Sequence, residues 1–222
     1  MRKIATRALQ LLTVVLALFL GVAVAMPASA ATNYNRSAAV AYAKQYSCNE
    51  KEACRNSAYN NMGTADCTNF VSQALRAGGK QNSQTGPAIW YWLTKPNYSN
   101  SFVQVPKLKE FLGQKSRSET WKVDMGSAYT NARAGDLYLY DWGRGEGWSH
   151  LSMETGYGAF ADYKDSKTGR NYRSITNGKG DFIAQHSKDR NGSPWNWGYQ
   201  NEKDAKIKKK MKTVIIHLND NW

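Results

Sequence analysis

Acidic residues, cysteines and histidines are all scarce in this chain of 222 residues. It has 17 Asp and Glu against 30 Lys and Arg, only three cysteines and only three histidines. No internal repeat, low-complexity tract or Pro-rich or Ser-rich linker divides the sequence, which argues for one domain. The sequence also lacks a nucleic-acid-binding motif, so we expect no specific nucleic-acid partner despite the basic charge.

The sequence has one long apolar run, from Ala8 to Ala25. Basic residues precede it and a stretch of small residues ending at Ala30 follows it, which is typical of a cleaved secretory signal peptide. A transmembrane anchor is the alternative, but cleavage-site chemistry follows and no second apolar run occurs. We therefore expect a signal peptide over residues 1–30, a secreted domain over residues 31–222, and no stable membrane span.

Basic residues dominate the predicted mature chain. Removing Arg2, Lys3 and Arg7 leaves 27 basic residues against 17 acidic ones, a net charge of +10. Outside the cell such a surface suits anionic wall polymers, acidic glycans or anionic lipid. The lysine-rich stretch over residues 203–212 is by itself more typical of a solvated face. We expect a monomer, with an anionic cell wall as the partner that this charge favours.

An odd number of cysteines is unusual in an exported protein. Five residues lie between Cys48 and Cys54, a loop short enough to close as a disulfide in an oxidising compartment. Cys67 is then unpaired, and catalysis is the leading reason to keep a free thiol. The alternative is that Cys67 pairs with one of the other two cysteines.

The stretch from Asp66 to Gly79 predicts a short helix with Cys67 in its first turn. Asp66 can cap this helix, and a glycine pair ends it. The positive end of a helix dipole favours a thiolate. The alternative is a small buried cysteine on the core face of the helix.

Further periodic segments indicate an α+β domain with an antiparallel sheet. We predict a helix over Tyr34–Tyr46 capped by Asn35, a short helix that begins near Pro106, and a long loop over Gly78–Ser101. Four strands are predicted, namely Gly135–Trp142, Trp148–Thr155, Asp181–Ser187 and Lys212–Leu218.

Two of the three histidines, His150 and His186, lie on successive predicted strands downstream of Cys67. Cysteine hydrolases need a thiolate, an imidazole and a polar group that fixes the imidazole. We interpret His217 as structural. His150, Glu154 and His186 cannot bind one metal ion, because residues i and i+4 of a strand are about 13 Å apart. We expect no metal and no cofactor.

Several segments together resemble a known bacterial family. They are Asn35–Ala43, Asp66–Leu75, Gly135–Asp136, Trp148–His150 and Gln185–Asp189. Their residues and order are similar to the putative amidase domain family, which is similar to the NlpC-type and CHAP cell-wall amidases of the papain-like cysteine peptidase superfamily. The resemblance covers essentially all of the mature chain.

This resemblance implies a papain-like fold with N-terminal helices packed on the sheet. It implies Cys67 as nucleophile and His150 as general base and acid, with His186 as the third catalytic residue. Gln185 is the alternative third residue, and Asp189 could support the site from a loop. The backbone N–H of Cys67 would contribute to the oxyanion hole.

The expected function is hydrolysis of amide bonds in cell-wall peptidoglycan through an acyl-enzyme. A non-catalytic wall-binding module on the same scaffold is an alternative of a different class. An acyl transferase is a third possibility, because an amine can intercept an acyl-enzyme in place of water.

Overall fold

The computed structural model describes residues 33–50, 52–114 and 116–222. The predicted signal peptide lies outside these residues. Within them, no helix is both long enough and apolar enough to cross a membrane.

Short helices and short strands make up the described part of the chain. The helices are α1 (Arg36–Gln45), α2 (Cys67–Ala77), α3 (Asn100–Val103), α4 (Val105–Leu112), α5 (Trp197–Asn201) and α6 (Ala205–Lys208). The strands are β1 (Trp92–Thr94), β2 (Asn97–Tyr98), β3 (Ser118–Lys122), β4 (Leu137–Asp141), β5 (Trp148–Ala159), β6 (Lys179–Gln185), β7 (Arg190–Pro194) and β8 (Lys212–Leu218).

Six strands form one antiparallel sheet in the order β3-β8-β4-β5-β6-β7, and β1 pairs with β2 separately. Every pairing is antiparallel. The prediction of an α+β fold with an antiparallel sheet is therefore confirmed.

Alternation along the strands divides the core between the two faces of the sheet. Leu139, Leu151 and Met153 pack with the apolar face of α2 on one side. Tyr138 and Tyr140 point to the other side. Because side chains alternate along a strand, neighbouring residues of β4 belong to different clusters.

The periodic segments predicted as helices and strands are present, with small shifts at their ends. The side chain of Asn35 caps α1 by accepting a hydrogen bond from the N–H of Ala38 at 2.9 Å. The fourth predicted strand coincides with β8. The β1-β2 hairpin lies inside the predicted loop Gly78–Ser101, and β3 and β7 were not predicted.

Candidate active site

Cys67 is the first residue of α2, and its thiol is free. The helix is amphipathic, and its apolar side chains, which include Phe70 and Leu75, are fully buried against the sheet. Cys67 itself is 6% exposed. Its sulfur lies 3.8 Å from Oγ1 of Thr68 and next to the backbone of Leu151 on β5.

Burial raises the pKa of the Cys67 thiol above its ordinary value. Hydrogen bonds from Leu151 and Thr68 lower it, but not enough to offset the loss of water, and the charge of Asp66 raises it further. The position at a helix N-terminus favoured a thiolate, yet desolvation dominates here. The thiol is therefore protonated at neutral pH.

The predicted disulfide between Cys48 and Cys54 is present, with Cα atoms 5.8 Å apart. It closes the loop that follows α1. The remaining cysteine, Cys67, is unpaired as predicted.

Asp66 precedes α2 but does not cap it with its side chain. Its carboxylate is 1% exposed and accepts hydrogen bonds from the N–H of Met62 (2.9 Å), Nδ2 of Asn69 (2.8 Å), Nη1 of Arg55 and Nδ1 of His186 (2.6 Å). Burial alone would raise the pKa of Asp66, but the hydrogen bonds of His186, Asn69 and Met62 lower it overall. Asp66 is thus a buried carboxylate with its acceptors fully used.

His186 follows β6 and is 1% exposed. Its Nδ1 faces Asp66, its Nε2 lies 2.7 Å from the carbonyl oxygen of Tyr46, and its ring stacks on Phe70 with centroids 4.0 Å apart. Both ring nitrogens therefore have oxygen partners. These contacts join the start of α2 to the residue that follows α1.

His150 lies near the start of β5, with its ring on the face opposite α2. It contacts the rings of Tyr140 and Trp142 at centroid distances of 5.6 and 5.7 Å. Its Nε2 is buried, and no hydrogen-bond partner for it exists in the described part of the chain. Burial lowers the pKa of His150 to about 4, although the side chain of Gln185 favours the protonated ring.

Gln185, the last residue of β6, is the polar side chain next to His150, where it opposes part of the effect of burial on the pKa of that imidazole. Its own Nε2 donates to the carbonyl oxygen of Lys188 at 3.0 Å, which fixes the amide. His186 was the predicted third catalytic residue, but its nitrogens face Asp66 and Tyr46 instead. In the structure, the contact that could orient His150 belongs to Gln185.

Asp189, predicted as a supporting residue, has a different set of partners. Its carboxylate accepts hydrogen bonds from Nη2 of Arg55 at 3.0 Å and from the N–H of Glu52 at 2.9 Å. Arg55 also reaches Asp66. Asp189 therefore anchors the disulfide loop near the start of α2.

The backbone of β5 lies between Cys67 and the ring of His150. The sulfur lies next to the backbone of Leu151, the residue that follows His150. Pairing between β5 and β6 begins at Met153, so β6 does not flank this first part of β5. Among the described residues no side-chain hydrogen bond joins Cys67 to His150 or His186.

A cavity of about 360 Å³ lies next to His150 and Gln185. Its other lining residues include Trp142, Trp195 and Trp197, and basic side chains surround it. Among the described residues, no three His, Cys, Asp or Glu side chains are grouped as ligands for a metal ion.

These contacts define an α+β protein with a free thiol at a helix start beside a histidine-bearing strand. Residues 33–209 match the family model described as "Putative amidase domain", and the chain belongs to this family. The family assignment points to a hydrolase that acts on amide bonds.

A curated relative is "Uncharacterized protein YjcM" of Bacillus subtilis (strain 168), which is 31% identical over 115 residues. The match covers 52% of this chain and 24% of the relative, so the chain spans about a quarter of that protein's length. No solved structure matches this chain.

Proposed function

We propose that this protein is an exported cysteine amidase with a papain-like architecture that cleaves amide bonds in cell-wall peptides. The observation that carries the proposal is a free thiol at the start of α2, next to the backbone of Leu151, in a chain of an amidase family. Leu151 is the residue that follows His150.

Cys67 and His150 are both neutral at pH 7, so the thiol must transfer its proton to the imidazole during the attack. The sulfur bonds to the amide carbonyl carbon while the imidazole of His150 takes the thiol proton. Because the ring of His150 lies on the face opposite α2, it must swing around the start of β5, which β6 does not flank, to reach the thiol for this step. The backbone N–H of Cys67 would stabilise the oxyanion.

Collapse of the tetrahedral intermediate breaks the carbon–nitrogen bond. The imidazolium of His150 returns its proton to the leaving amine, and the acyl group stays on the sulfur. Water then attacks the thioester with His150 as base, which releases a carboxylic acid and the free thiol. Gln185 orients the imidazole, and His186 acts through Asp66 as a positioning residue for the start of α2.

Location and substrate rest on the sequence. The N-terminal signal pattern and the disulfide support an exported protein. A net charge of +10 for the mature chain suits a wall rich in anionic polymers. Peptidoglycan supplies amide bonds both between glycan and peptide and within its peptides.

The test is digestion of purified peptidoglycan by the parent protein and by Cys67→Ala, followed by mass spectrometry of the released fragments. We expect new amine and carboxylate ends with the parent only, and a loss of at least about 100-fold in the variants Cys67→Ala and His150→Ala. His217→Ala is a matched control, because His217 also contacts a carboxylate, that of Asp136.

The same experiment separates the alternatives. Equal product formation by the parent and Cys67→Ala would rule out the cysteine mechanism. Sedimentation of both proteins with peptidoglycan but no new ends would indicate a wall-binding module. An added amine that appears in the product would indicate acyl transfer.

A further inference from the structure

The cavity beside His150 and Gln185 combines aromatic walls with a basic rim. Trp142 stacks on Tyr140 with centroids 4.7 Å apart, and Trp195 is 2% exposed, so these walls are rigid. The amide plane of a peptide can pack on such surfaces.

Ion pairs neutralise part of the positive charge around this cavity. Arg144 forms an ion pair with Glu202, and Arg190 forms one with Asp165 at 2.9 Å. His150 is neutral at pH 7 because its pKa is about 4. These groups together contribute no net charge to the cavity.

Two lysines keep their charge at the same rim. Lys167 and Lys188 line the cavity, and within the described residues neither forms an ion pair. The two ammonium groups are close enough that Lys167 lowers the pKa of Lys188, with burial as a second cause. Two like charges held side by side are unfavourable unless an anion lies between them.

Nitrogen atoms without partners lie in the same wall. Among the described residues, Nε1 of Trp195, Nε1 of Trp197, Nε of Arg190 and Nε2 of His150 are buried and lack a hydrogen-bond partner. All four residues line this cavity. Indole and guanidinium nitrogens can only donate, which again favours a ligand with oxygen acceptors.

We propose that this cavity, on the His150 side of the site, is a substrate subsite of the enzyme and that Lys167 and Lys188 bind a carboxylate of the peptide there. The assignment rests on the proposed function, since it takes the ligand to be a peptide. The carboxylate is either the free C-terminus or an acidic side chain. Because both lysines are exposed, the attraction weakens as salt is added.

Binding is measured with the Cys67→Ala variant, so that turnover does not enter. The probes are an N-acetylated dipeptide with a free C-terminal carboxylate and the same dipeptide with a C-terminal amide. Binding of each is measured by tryptophan fluorescence or NMR. We expect the acid to bind about 10-fold more tightly than the amide at low salt, from two exposed charge contacts. This preference should shrink toward parity as salt rises to about 0.5 M.

The double variant Lys167→Met and Lys188→Met, added to Cys67→Ala, should lose the preference for the acid. Lys179→Met is the matched control, because Lys179 is an exposed lysine at the opposite end of β6 from Gln185. Equal affinity for acid and amide, or an equal loss in the Lys179 control, would overturn the subsite. Binding of inorganic phosphate without binding of the peptide acid would also overturn the carboxylate assignment.

Failure of the subsite and failure of the proposed function give different results. A carboxylate preference without hydrolysis by the parent would retain the subsite and reject the enzyme. Hydrolysis of peptidoglycan without any carboxylate preference would retain the enzyme and reject the subsite.

Discussion

Cys67 and His150 have pKa values displaced in the directions that keep both side chains neutral. Burial raises the pKa of the thiol and lowers that of the imidazole to about 4. A preformed thiolate–imidazolium pair needs the opposite order, with the thiol more acidic than the imidazolium. The site therefore holds a thiol and a neutral imidazole, and in the proposed mechanism His150 would act as a general base.

The first prediction at the residue scale concerns alkylation of Cys67 by iodoacetamide. Only the thiolate reacts, so the rate should rise with pH across the range from about 7 to 9, because the thiol pKa lies above its ordinary value. The measurement is mass spectrometry of the labelled peptide at a series of pH values. Cys67→Ala controls for labelling elsewhere, and a rate that levels off below pH 8 would contradict the neutral pair.

At the scale of elements, α2 shows what a sequence pattern can and cannot reveal. Its apolar face and its end were predictable from spacing. The partners of Asp66 were not, because one of them, His186, is 120 residues away in sequence. The same limit applies to Gln185 and His186. They are neighbours in sequence, but β6 ends between them and their side chains contact different partners.

The two candidates for the third residue should respond differently to substitution. Gln185→Ala should lower kcat/KM by about 10-fold or more and shift its pH profile, with little change in the free energy of unfolding. His186→Ala should lower the free energy of unfolding by about 2–4 kcal/mol, because it leaves a cavity and removes a donor from buried Asp66. The measurements are kinetics on the peptidoglycan substrate and urea unfolding.

His217→Ala is the control for this comparison. His217 lies 2.8 Å from Asp136 and stacks on Trp121 at 4.0 Å, so its loss also destabilises the fold, but its contacts lie outside the site. A catalytic loss in the folded His186→Ala protein that exceeds the loss in Gln185→Ala would return the third role to His186.

At the scale of the whole molecule, the two strands of the six-stranded sheet that were not predicted are its two edges. β3 is polar, and β7 contains both Gly192 and Pro194. Edge strands are commonly polar or interrupted, because an apolar edge would pair with other chains. The strong patterns of β4, β5, β6 and β8 come from burial on both faces, which edge strands lack. Secretion and wall association remain predictions from the sequence.

The family match ends at residue 209, before β8 begins. β8 lies between β3 and β4, and Ile215 and Leu218 on it are fully buried. The backbone N–H of Leu218 also donates to the carboxylate of Asp136 at 3.1 Å. The residues beyond the match are therefore part of the core.

The last prediction is that a chain ending at residue 209 does not fold. Loss of β8 would leave β3 without a strand partner and open an edge on β4. It would also remove buried side chains that contribute about 2 kcal/mol each, which is large against a typical free energy of unfolding of about 5–15 kcal/mol. We expect no cooperative urea transition by circular dichroism. A chain of residues 31–222 is the control and should unfold cooperatively, because this segment forms a compact unit of its own. A cooperative transition in the shortened chain would mean that the helices and β4 to β7 suffice for the fold, and β8 would then be an accessory strand.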